Sequence, residues 1–216
     1  MKTKRFFAIF FLLLLASCAP SYIVSAPSPG PLTSEEHLRL AAIYEKEGRG
    51  RRAMDEYREA LALNPNEGRA YFGIANIHLK QRRYDKAEEN YLKAIELDPR
   101  KGVYYNNLGW VYMETGRLIQ AQTTVTRGLT LDLQAEYIYL DTLGVIETRF
   151  GNYDGAENFL IRAVLSAPQP DLGGLAHIYT HLYELYVTWN KKEKAEETKK
   201  KLDGLRAGIL PAPPID

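Results

Sequence analysis

The sequence predicts an all-α fold, a solenoid of about five stacked helical hairpins. Three observations carry that expectation. Asn64-Pro65 and Asp98-Pro99 stand thirty-four residues apart. The same apolar spacing precedes each pair, and it returns three more times toward the C-terminus. Alanine occupies the twentieth position of all five copies, as Ala53, Ala87, Ala121, Ala156 and Ala195. A fixed period of this length marks a repeat array.

The chain opens on Lys2, Lys4 and Arg5, followed by ten apolar residues from Phe6 to Leu15. That run is too short to cross a bilayer core of about 30 Å as a helix. It has the build of an export signal. Leu15-Ala16-Ser17-Cys18 follows, and it resembles the bacterial lipobox. The resemblance implies removal of residues 1–17 and acylation of Cys18, palmitate being a usual chain. Two or three acyl chains anchor stably, whereas one is marginal at roughly 0.8 kcal/mol per buried CH₂. Ala19 stands where proteobacterial lipoproteins carry an Asp for inner-membrane retention. The resemblance therefore implies an envelope protein on the outer membrane, facing the periplasm.

Residues 18–33 read as a lipid-anchored spacer. Pro20, Pro27, Pro29 and Pro31 remove backbone donors and block helix. Extended like polyproline, the stretch reaches at most about 45 Å.

Repeats are expected near 34–67, 68–101, 102–136, 137–170 and 176–203. In each, positions 4, 7, 8 and 11 form one helical face, and positions 20, 24 and 27 another. Leu40, Ala41 and Tyr44 in the first copy match Ile74, Ala75 and His78 in the second. Leu108, Gly109 and Tyr112 follow in the third, and Leu143 with Gly144 in the fourth. Gly48, Gly116, Gly151 or Asn190 sits between the two helices, where a left-handed cap is tolerated. The third copy has Leu133 in place of the closing proline, and the fourth starts one residue late. Asp171 to Leu175 stand as extra residues before the fifth. The second helix of that copy is so charged, from Lys191 to Lys201, that it reads as a solvent-facing cap. Residues 204–216 read as a Pro-rich tail.

These copies resemble the tetratricopeptide repeat family over residues 34 to about 203. The resemblance implies a right-handed superhelical solenoid with a concave groove lined by the first helix of each hairpin. Carried over position by position, it places Leu38, Phe72, Asn106, Asp141 and Thr180 in the groove, with Ala42, Asn76, Trp110, Val145 and Glu184. The candidate partner-binding residues are thus Phe72, Asn76, Asn106, Asn107, Trp110, Asp141, Thr180 and Glu184. Phe72 and Trp110 would serve as apolar anchors, and the amides would pair with a peptide backbone. The family's two-carboxylate clamp is matched only at Asn76, which argues against a C-terminal carboxylate ligand.

The remaining chemistry is sparse. Residues 1–17 hold three of the 28 basic residues and no acid, leaving 25 against 27 beyond them. That balance argues against nucleic acid, which needs a concentrated basic surface. Of the fifteen tyrosines, eight fall on core positions, so no base-stacking platform is needed. There is no phosphate loop, nucleophile elbow or paired-cysteine spacing. No enzyme activity, cofactor or catalytic residue is expected. His177 and His181 lie four apart but lack a third ligand at readable spacing, so no metal is expected either. His37 and His78 fall on core positions. The expected function is a lipid-anchored scaffold for a protein partner in an envelope machine. Lipoproteins of the resembled kind serve pilus or secretin assembly, peptidoglycan cutting or exopolysaccharide export. Self-assembly of the chain into a structural homo-oligomer is the alternative.

Overall fold

The computed structural model describes residues 30–168 and 171–208. The expected export signal, the expected lipid-attachment residue Cys18, most of the expected spacer and residues 209–216 lie outside them. Among the described residues there are ten α-helices and no strand. They run as α1 (Ser34–Lys46), α2 (Gly50–Leu63), α3 (Gly68–Lys80), α4 (Tyr84–Leu97), α5 (Gly102–Glu114) and α6 (Leu118–Leu131). After a 3₁₀ turn at Leu133–Ala135 come α7 (Glu136–Phe150), α8 (Tyr153–Ser166), α9 (Leu172–Thr188) and α10 (Lys192–Arg206). None of these helices is long and apolar enough to cross a membrane.

The array begins at a capping box. The Glu36 N–H donates to Thr33 Oγ1, and the Thr33 N–H donates back to Glu36 Oε2 at 2.7 Å. Two otherwise orphaned donors at the helix start are thereby satisfied. Each hairpin then turns on one left-handed residue: Gly48, Arg82, Gly116, Gly151 and Asn190. Four of these are the residues that favour that conformation. Arg82, at φ 57°, is the exception.

Within a hairpin, small residues let the two helices approach. Ala41, Ala53, Ala75, Ala87, Ala121 and Ala156 are fully buried. A Cβ on Gly109 would run into Val125, and one on Gly144 into Leu160. Close packing of this kind leaves no room for a larger side chain.

Between hairpins, the backbones of first helices approach one another, from α1–α3 through α7–α9, while those of second helices do not. The first helices are therefore closer together and line the inner side of the stack. Three adjoining apolar clusters fill it from end to end. One centres on Tyr57 and Ile74, the next on Tyr91, Val111 and Ile146, and the last on Leu160, Ile178 and Leu185.

The junction after the third hairpin departs from the others. With Leu133 where a proline closes the first two copies, the chain makes its 3₁₀ turn, which absorbs the extra residue. Asp132 accepts from the Ala135 N–H and from the Tyr139 hydroxyl at 3.2 Å. Here α5 and α6 almost touch through backbone: a Cβ on Gly128 would lie 2.8 Å from the Gly102 carbonyl.

The fifth hairpin is longer than expected. Residues 171–175 open α9 rather than precede it, because the Asp171 side chain accepts from the Gly174 N–H and caps a helix that starts a turn early. Residues 204–206, expected in the tail, complete α10, and Leu202 and Leu205 continue its apolar face into the core. The rest of that helix faces solvent, with Ala195 and Thr198 the other residues it buries.

Candidate functional site

The predicted groove residues all sit on first helices, on the inner side of the stack. Several of them make contacts within the chain. Phe72 is half-buried and stacks on Tyr104 at 4.7 Å between ring centroids, with Tyr91 tilted against it at 5.8 Å. It packs within the chain rather than standing free. Asn76 and Asn107 are partly engaged within the chain. Asn76 Oδ1 accepts the Tyr91 hydroxyl at 2.7 Å and the Asn107 amide at 3.0 Å. Burial pushes the Tyr91 phenol up, so it stays protonated and keeps donating. Thr180 donates back to the Ala176 carbonyl at 2.7 Å, which commits its hydroxyl proton. Glu184 is exposed.

Asn106, Trp110 and Asp141 are brought together. With Tyr137, His177 and Ile178 they line a cleft of about 330 Å³ between α5, α7 and α9. Trp110 is half-buried against the middle apolar cluster and forms one wall. Its ring lies 6.1 Å from that of His181. Asn106 is 4 % exposed, and its Oδ1 has no hydrogen-bond partner.

Asp141 is equally buried and lies against two imidazoles. His181 Nδ1 is 2.8 Å from one carboxylate oxygen, and His177 Nε2 is 3.8 Å from the other. The expectation of no metal ligands rested on the absence of a third group beside the two histidines. Asp141 is such a group. Sequence spacing hid it because it comes from α7, one hairpin earlier. The early start of α9 adds a helical turn on that side, and Gly174, within it, forms part of the cleft wall. Tyr137 and Ile178 carried no sequence signal beyond belonging to first helices.

A second cleft, of about 350 Å³, lies on the α2–α4 side and is rimmed by Arg51, Arg58, Arg83 and Lys86 around His78. Burial there lowers the His78 pKa, and the surrounding cations lower it further.

Three tetratricopeptide repeat models match the chain, at residues 34–77, 68–101 and 90–123. Among curated proteins none matches it in sequence. Solved structures similar in fold include PilF of Pseudomonas aeruginosa, at 21% identity and a TM-score of 0.63, covering 83% of this chain and 79% of that one. The type IV pilus biogenesis factor PilW is similar at 20% identity and 0.59, covering 79% and 92%. BtubC of P. vanneervenii reaches 22% and 0.67, covering 84% of each. At such identities the likeness is one of fold. Five hairpins of one build, three of them overlapped by the matching models, make this chain a tetratricopeptide repeat protein.

Proposed function

We propose that the chain is a lipid-anchored, non-enzymatic scaffold of the cell envelope, which holds a segment of a protein partner on the inner face of its solenoid. The observation that carries the reading is the cleft between α5, α7 and α9, where an aromatic wall from Trp110 meets the buried polar groups of Asn106 and Asp141. Ligand sites combine apolar walls with a few placed polar groups in this way. A solenoid leaves such a face unused by its own packing. The lipobox-like Leu15 to Cys18 supports anchorage, and two fold neighbours with pilus names support an envelope setting. Within that setting, piloting of a pilus or secretin component is the favoured role, ahead of peptidoglycan or exopolysaccharide machinery.

Two measurements test it. Cys18→Ser should leave an uncleaved precursor or release the protein from the membrane fraction. Processing before residue 18 with continued membrane binding would end the anchor reading. Truncating a central aromatic typically costs an interface at least about 2 kcal/mol. Trp110→Ala should therefore lose envelope partners in co-purification, while Lys192→Ala on the exposed side of α10 keeps them. Melting curves must accompany the assay, because Trp110 is half-buried. If capture survives in Trp110→Ala, the inner cleft is not the docking site, and the basic cleft around His78 becomes the place to look. Concentration-dependent self-association in sedimentation, without partner capture, would favour the self-assembling alternative.

A further inference from the structure

We propose that Asp141, His177 and His181 form a binding site for one divalent transition metal of the zinc class. The two histidines lie four residues apart on α9, so both imidazoles project from one helix face. Their ring centroids are 4.5 Å apart, edge to face. Asp141 approaches from α7, and one ligand atom from each of the three residues lies within 4.8 Å of the other two.

The spacings suit a shared ion. Ligand atoms on a tetrahedral zinc stand about 3.3 Å from each other, given metal–ligand lengths near 2.0–2.1 Å. His181 Nδ1 stands 2.8 Å from one Asp141 oxygen and His177 Nε2 3.8 Å from the other, on either side of that value. The longer one is too long for a hydrogen bond. His177 is the most exposed of the three, with 65% of its side chain open to solvent, so it can swing inward at little cost. The combination of imidazole and carboxylate suits zinc and its neighbours rather than calcium or magnesium, which take all-oxygen shells.

Two further observations point to a ligand. The Asp141 side chain is 6% exposed, and among the described residues its ion-pair partners are these two imidazoles alone. It accepts one hydrogen bond, from His181. A buried carboxylate so poorly compensated is costly. Asn106, nine-tenths buried in the wall of the same cleft, has an orphaned amide oxygen. A hydrated cation would address both deficits. Three protein ligands leave the fourth position to water on the cleft side, where the Asn106 amide can bond that water directly or after a half-turn about its terminal bond. On binding, His181 Nδ1 gives up any proton it shares with Asp141 and turns its lone pair to the metal, with the proton kept on Nε2.

Such an ion would clasp α7 to α9, and so the terminal hairpin to its neighbour. This inference does not depend on protein capture, and its test reads the metal alone. The full chain is titrated with Zn²⁺ by calorimetry, with melting curves before and after a chelator. Wild type should bind one ion per chain and melt higher with zinc, and the chelator should reverse the rise. His177→Ala, at an exposed position, should fold normally and bind at least about tenfold more weakly. Asp141→Asn should behave likewise, and Mg²⁺ should not shift the melting curve. Cys18, His37 and His78 are present in every variant, so the difference isolates this site. Co²⁺ should give the visible absorption of a tetrahedral centre in wild type and lose it in His177→Ala. Absence of stoichiometric zinc binding overturns the proposal. So does unchanged affinity in His177→Ala, or an equal melting shift with Mg²⁺.

Discussion

The Tyr186 hydroxyl donates to Glu157 Oε1 at 2.6 Å, from α9 to α8, and Lys194 of α10 reaches the same oxygen. One carboxylate thus ties together the three helices that close the array. Lys194 belongs to the stretch that the sequence marks as a solvent-facing cap, yet it also lies over the Tyr186 ring at 5.3 Å.

This arrangement predicts a pH dependence. Burial alone would raise the Glu157 pKa, but the Lys194 and Tyr186 donors outweigh it and hold the carboxyl below its ordinary value. A depressed carboxyl contributes stability that is present above its unfolded value of about 4.3 and is lost as pH falls through the lower folded value. Glu157→Gln should therefore be less stable than wild type at pH 7, by about 1 kcal/mol. The gap should narrow toward pH 3, as wild type itself takes up the proton. Urea denaturation of both proteins at the two pH values checks this. A gap that persists in acid would mean that packing, not charge, is what Glu157 contributes.

The Arg82 turn predicts a stabilising change. A side chain in the left-handed region costs roughly 1–2 kcal/mol, which glycine avoids. Glycine gives part of that back through its freer unfolded chain. Arg82→Gly should gain about 0.5–1 kcal/mol in denaturant midpoint measurements at constant slope, and Gly116→Arg at the matching position should lose about as much. A neutral or destabilising Arg82→Gly would show that the arginine makes a compensating contact.

These two positions show what the sequence could and could not convey. The thirty-four-residue period was legible because helix pairing restricts residue size at fixed places, as at Gly109 and Ala121. Arg82 was not, since its side chain hides a conformation that glycine announces elsewhere. The approach of Gly102 to Gly128 was equally silent, because it depends on how α5 and α6 cross. At the site, the resemblance implied a shared groove for Trp110 and Asp141, and both line the cleft between α5, α7 and α9. The resemblance could not tell that Asn76 Oδ1 takes both the Tyr91 hydroxyl and an Asn107 N–H. Nor could it tell that Asp141 meets His181, forty residues on. A repeat pattern specifies which face a residue occupies, whereas its partners on that face are set by side-chain reach between neighbouring helices.

The Asn76 network supplies the last prediction, because it separates a packing role from a docking role. Tyr91 is fully buried, and its hydroxyl has Asn76 Oδ1 as acceptor. Asn76→Ala would leave that hydroxyl without a partner in an apolar cluster. Such an orphaned group typically costs about 1–3 kcal/mol. Asn76→Asp keeps an acceptor oxygen and should cost less than the alanine. Tyr91→Phe removes the hydroxyl instead, so adding Asn76→Ala to it should be milder than Asn76→Ala alone. The two residues should therefore show a coupling of about 0.5–3 kcal/mol. Urea denaturation of the four proteins in a double-mutant cycle measures it. If Asn76→Ala leaves stability unchanged and instead weakens partner capture, the amide faces a ligand after all, and the docking surface extends from the Trp110 cleft back to α3.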